Sequence, residues 1–163
     1  MTVGLVYLRP KQITCAYVPG NGTDAARMAW QRMQTWLEKC AIAGLVTTRY
    51  GLQYGPDQIC FHSNCYIACV EISSTCDVPQ LDNCQLNQLP GGAFARQRFV
   101  GPCSQIVTAL SVIQSELTAS THYSTDLSRP CITVFLERPD FDEPTTVKTD
   151  LLVPVATLRK TAA

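Results

Sequence analysis

The chain has almost nothing to offer an anionic polymer: across 163 residues, thirteen Lys and Arg offset thirteen Asp and Glu, and only two histidines are present. The basic residues are scattered, so no face exists for phosphate backbones, and this excludes direct nucleic-acid binding by this chain. No pair of short basic helical patterns joined by a tight Gly turn occurs, which excludes a helix-turn-helix. Any role in transcription would need a DNA-binding domain or partner in trans. No window approaches the ~18 apolar residues that span a bilayer, so no membrane segment is expected. The first residues, Met1 to Arg9, carry no basic stretch followed by an apolar run and a small-residue cleavage site. A cytoplasmic protein is the expectation. Also missing are a nucleophile elbow, a phosphate loop and a Ser-His-Asp constellation, while His62 and His122 fall in polar, loop-like segments. These absences name no catalytic residue and imply no cofactor.

Cysteine, by contrast, is abundant. There are nine, an odd number, and without an export signal they read as reduced thiols packed as small apolar groups. The tightest grouping is Cys60, His62, Cys65 and Cys69, whose spacing lacks the paired knuckles of common zinc sites; no metal site is expected. An apolar fraction of 46% is that of a soluble globular protein, and the length suits one domain over 1–163.

Two stretches about eighty residues apart vary one theme: an apolar strand, a Gly/Pro turn, then a helical pattern. In the first, Val3, Leu5 and Tyr7 and then Ile13, Cys15 and Tyr17 alternate, with a bend at Pro10. Asp24 can cap a helix carrying Met28, Trp30, Met33, Trp36, Leu37 and Cys40, which ends before Gly44. Tyr50–Tyr54 and Cys65–Ile72 then read as a hairpin, and the polar segment 73–83 as a linker. In the second, a strand over 84–100 kinks at Gly91-Gly92. A helix from Ser104 to Leu117 follows, then apolar strands over 131–136 and 147–155. Pseudo-repeats over 3–72 and 84–155 predict an α+β fold: a duplicated strand-helix-strand-strand unit with pseudo-twofold symmetry. Its antiparallel sheet would carry two helices on one face, with a central cleft where the halves meet.

The motifs in order are Ala16-Tyr17-Val18 with Gly22, the Trp36 helix, Gly51-Leu52-Gln53-Tyr54 with Pro56, and Tyr66-Ile67-Ala68-Cys69-Val70. They continue with Leu89-Pro90-Gly91-Gly92-Ala93-Phe94-Ala95, Gly101-Pro102, and Thr149 to Val155. With these the chain resembles the GyrI-like small-molecule-binding domain, found alone and as the effector-binding half of AraC-type and MerR-type transcription regulators. The resemblance spans nearly the whole chain. It implies a central cleft that binds hydrophobic, often aromatic or cationic, small molecules. The buried carboxylate that cation-binding members carry in the penultimate strand is matched by Thr133, and the tyrosine after it by Phe135. A common aspartate of the Tyr-Asp-Ala-Cys-Val pattern is Ile67. The implied cavity is therefore apolar, with Thr133 as its central polar group. Its candidate lining is Tyr17, Trp30, Tyr54, Phe61, Ile67, Cys69, Phe94, Phe99 and Phe135.

Three functions compete. The first is a sensor or multidrug-binding module holding a lipophilic ligand. The second is a hydrolase of reactive small molecules in the same cleft, for which Glu71 or Glu137 would have to supply the acid that Thr133 cannot. The third is a protein-binding inhibitor of a topoisomerase, which the neutral surface does not favour.

Overall fold

A computed structural model describes residues 4–56, 64–73, 88–119, 122–142 and 145–157. The first half holds β1 (Gly4–Leu8), β2 (Lys11–Gln12), β3 (Thr14–Pro19), α1 (Thr23–Lys39), β4 (Val46–Tyr54) and β5 (Cys65–Ile72). The second holds β6 (Gln88–Leu89), β7 (Gly92–Gly101), α2 (Ile106–Thr118), β8 (Tyr123–Thr125), β9 (Cys131–Phe135) and β10 (Val147–Thr157). Both helices begin a little away from where their capping residues suggested. Gly22 occupies the N-cap of α1, and Asp24 sits one residue inside the first turn, where its carboxylate takes a 2.7 Å bond from Arg27. Ser104 lies in a 3-10 turn over Cys103–Gln105, so Gln105 precedes the first residue of α2. The expected linker falls almost wholly outside the described residues, as do Cys60, Phe61 and His62.

The main sheet is antiparallel, in the order β1-β7-β10-β9-β4-β5-β3, with β8 added beside β10; β2 and β6 form a separate ribbon. The duplication is legible in that order. The unit β3-α1-β4-β5 recurs as β7-α2-β9-β10, and these two units join through β4 with β9, while β1 and β2 of the first half reach across to pair with β7 and β6. Gly51 stands opposite Thr133 at its middle, with Arg49 opposite Phe135 and Gln53 opposite Cys131 to either side.

Both helices lie on one face. The buried stripe of α1 is Ala26, Ala29, Trp30, Met33 and Leu37, the spacing that brings one side of a helix onto a sheet, whereas Met28 points outward at 53% exposure. Ile106, Leu110, Ile113 and Leu117 form the matching stripe of α2. Beneath them, alternation along the strands sends Ala16, Val18, Tyr66, Ala68, Val70, Leu151, Val153 and Phe135 into the same cluster. The opposite phase of the same strands builds a second core on the far face: Cys15, Leu52, Ile67, Cys69, Phe94, Ile132 and Leu152, with Leu8, Ile13 and Leu89 packed on it. Cys15 and Cys69 face each other across β3 and β5 with their sulfurs 3.5 Å apart, and the six described cysteines are all free thiols.

The Pro-Gly-Gly motif has a structural cause. Gly92 has φ +116°, and a Cβ there would land on the guanidinium of Arg129; a Cβ on Gly91 would meet Pro10 Cδ at 2.7 Å and the Leu8 carbonyl at 2.9 Å. Arg129 donates to Asp126 at 2.8 Å, to the Gly91 carbonyl at 3.2 Å and to the Val155 carbonyl at 3.0 Å, and lies 4.8 Å over the Phe94 ring. One half-buried cation thus ties the β7 turn, the end of β10 and the loop before β9. Burial alone would raise the Asp126 carboxyl, but hydrogen bonds from Ser128 and Arg129 outweigh it and hold the group below its ordinary range.

Candidate functional site

α1 packs over β3 and β5, and α2 over β8 and β10, so the central strands β4 and β9 run along the floor of a groove between the helices. This is where the cleft was expected. Its middle is filled by three aromatic side chains. Tyr66 rises from β5 and lies across Gly51: a Cβ on that glycine would overlap the phenol oxygen and come within 2.8 Å of Cζ. Trp30 Nε1 donates to Tyr66 Oη at 2.9 Å, and the Trp30 and Phe135 rings meet edge to face with centroids 5.3 Å apart. Burial raises the Tyr66 phenol well above its usual range, partly opposed by the bond from Trp30, so it stays protonated at every physiological pH. Thr133, 3% exposed, lies in the floor opposite Gly51.

Glycine in the middle of a strand is costly unless something needs its space, and here the tyrosine does. Gly51→Ala is expected to lower the unfolding free energy by about 1–3 kcal/mol through overpacking. Combining it with Tyr66→Phe, which removes the overlapping oxygen, should cost less than the sum of the two single changes. Chemical denaturation of the four proteins measures that coupling.

At each end of the aromatic plug the groove opens into a hollow. One, of about 230 Å3, is lined by Arg27, Trp30, Gln31 and Gln34 of α1, by Arg49 of β4, and by Arg138 to Asp142 after β9. The other, of about 250 Å3, is lined by Val107, Leu110, Ser111 and Gln114 of α2, by Cys131 of β9, and by Asn21, Gln53, Gly55, Pro56 and Leu127. Each helix offers the same stripe, i, i+3, i+4 and i+7, and each position in α2 is eighty residues after its counterpart in α1. The two hollows are mates under the duplication. Their chemistry differs: the first carries three arginines and two aspartates, the second no charged residue. In the second, burial pushes the Cys131 thiol up to about 12, and Gln114 Nε2 donates to its sulfur at 3.4 Å.

The residues picked out from the sequence divide between the faces. Trp30, Thr133 and Phe135 converge on the groove. Phe99 belongs to the same layer but lies two strands away, its ring against Gly101, where a Cβ would meet Cζ at 2.9 Å. Tyr17, Tyr54, Ile67, Cys69 and Phe94 stand in or against the far-face core, so the sheet itself separates them from the groove. Phe61 lies outside the described residues. Glu71 shares the far face with Ile67 and Cys69 and pairs with Lys11 at 3.5 Å, while Glu137 is exposed. Neither acid reaches the middle of the groove. The sequence reading missed Tyr66, Arg49 and Arg138. Gly51 inside a strand pattern was the available signal for the first; the arginines gave none. Among the described residues, no group of three His, Cys, Asp or Glu side chains could hold a metal ion.

No protein-family model and no curated protein matches this sequence. Solved structures do match in fold. An uncharacterized conserved protein from Listeria innocua superposes with a TM-score of 0.62 at 12% identity, covering 95% of this chain and 92% of that one. Two Listeria innocua proteins described as hydrolases superpose with TM-scores of 0.56, at 13% and 14% identity and the same coverage. Identity this low carries the architecture alone: an α+β fold with a large antiparallel sheet and two helices. Among the described residues, no helix is long and apolar enough to cross a membrane.

Proposed function

We propose that this protein is a small-molecule-binding module of the GyrI-like kind, whose groove holds lipophilic ligands in the hollows beside the Trp30–Tyr66–Phe135 plug. The observation that carries the reading is the repeated helical stripe: both halves leave a hollow at the same place, bounded by the same four helical positions. Such paired spaces at the junction of two units are where ligands commonly bind. The plug keeps each ligand small, and Trp30 and Leu110 give each hollow an apolar wall. As a sensor, the module would act through a DNA-binding partner in trans.

The test is a thermal-shift screen with lipophilic neutral and cationic compounds. A ligand at about a hundred times its dissociation constant should stabilise by roughly 2.7 kcal/mol, a rise of roughly 5–10 °C for a domain of this size. A panel producing no shift would sink the reading.

A hydrolase is the second reading, favoured by the description of two structural neighbours. Hydrolysis needs a positioned base, and among the described residues the carboxylates lining the hollows are Asp140 and Asp142, the former already accepting the Asp142 N–H at 2.9 Å. Chromatography of each hit after incubation separates the two: intact compound supports binding, and cleaved compound supports catalysis.

A further inference from the structure

We propose that the hollow beside α1 is a site for a small organic anion, a carboxylate or phosphate monoester on a flat apolar body, held between Arg49 and Arg138. The inference rests on the reading that the groove binds small molecules and names the class for one of its two ends.

Among the described residues neither Arg49 nor Arg138 has a carboxylate partner. Arg27 is already engaged by Asp24 at 2.7 Å, and Asp140 spends an oxygen on the backbone of its own loop. Arg49 is half-buried in the middle of the sheet. Burial lowers its guanidinium pKa first and the charge of Arg138 lowers it further, with no acid acting in the opposite direction. Two like charges lining one partly dry hollow are unfavourable unless paired, and neither Asp140 nor Asp142 of that hollow forms an ion pair with Arg49 or Arg138. A bidentate anion satisfies both guanidinium forks, and the Trp30 and Phe141 rings at the same hollow offer a surface for a planar body.

The duplication supplies an internal control. With Gly51 and Thr133 at the seam, the position in β9 equivalent to Arg49 is Cys131, and the hollow it lines carries no charge. The cationic pair is therefore not something the architecture demands. A hollow of about 230 Å3 is smaller than the ~300–1,000 Å3 usual for drug-sized ligands, so a single-ring acid is the fitting probe.

Isothermal titration of the full chain with benzoate, phenyl phosphate, benzamide and benzylamine tests the proposal. Benzoate or phenyl phosphate should bind at least ten-fold more tightly than the neutral and cationic analogues, and the tighter of the two identifies the anionic group. Arg49→Gln should weaken that anion at least ten-fold without lowering the melting temperature, and Arg138→Gln, at an exposed position, should weaken it with the fold undisturbed. Benzamide or benzylamine binding as well as the anions would overturn the proposal while leaving the groove reading intact. So would an anion that both variants bind as tightly as the parent. If none of the four probes binds and the lipophile screen is also blank, both readings fall together.

Discussion

Phe94→Ala is expected to destabilise the protein by about 3–5 kcal/mol, the usual cost of emptying a fully buried phenylalanine site, and to leave ligand binding in the groove unchanged. Phe94 is 0% exposed on the far face, and its ring is the surface on which the Arg129 guanidinium lies at 4.8 Å. Removing the ring takes away that apolar support and leaves a void next to a charge whose three hydrogen bonds hold the β7 turn to β10. At roughly 2–4 °C per kcal/mol for a domain of this size, melting should fall by roughly 6–20 °C. Calorimetry with and without a groove ligand checks both halves of the expectation. A variant that melts normally but loses its ligand would move the binding site to the far face, where Tyr17, Tyr54, Ile67 and Cys69 also lie.

Trp30→Ala should cost a similar ~3–5 kcal/mol, for a different reason and with a different remedy. The indole is 7% exposed, donates to Tyr66 Oη at 2.9 Å and meets Phe135 edge on. Its loss removes the partner of a buried phenol and opens an apolar space in the middle of the groove. Such a space accepts an apolar guest of matching shape. Added indole is therefore expected to restore part of the lost melting temperature in Trp30→Ala and to do nothing comparable for Phe94→Ala. Trp30→Phe keeps a ring but no donor, so it isolates the hydrogen bond, expected at about 0.5–1.5 kcal/mol net. Indifference of the alanine variant to indole would mean that the plug collapses instead of opening.

Much of the architecture could be read from the chain because it is written twice. The strand, Gly/Pro turn and helix recur about eighty residues apart, and each helix shows its stripe by periodicity alone, so the duplicated α+β sheet with both helices on one face follows from local pattern. The facing of the central strands could not be read the same way. Within β5 the run Cys65-Tyr66-Ile67-Ala68-Cys69-Val70 is buried on both sides, and a run apolar at every position carries no alternation to say which phase meets the helices. Ile67 and Cys69 belong to the far-face core, and the side chain that enters the groove is Tyr66. Arg49 and Arg138 were invisible for another reason: they lie far apart in sequence, each unremarkable alone, and only the β4–β9 pairing brings their ends of the strands to one hollow. The helix starts shifted by a residue or two because Gly22 and Gln105 take the places that Asp24 and Ser104 were expected to fill.

The latch formed by Arg129 bears on how relatives of this chain would be recognised. A guanidinium seated where the Gly92 side chain would be requires a residue without one, whatever the groove holds. Proteins gathered by their Leu-Pro-Gly-Gly signature would therefore be grouped by how they close the turn into the strand that here carries Phe94. What each of them carries would have to be read elsewhere, from the few side chains at the two mouths.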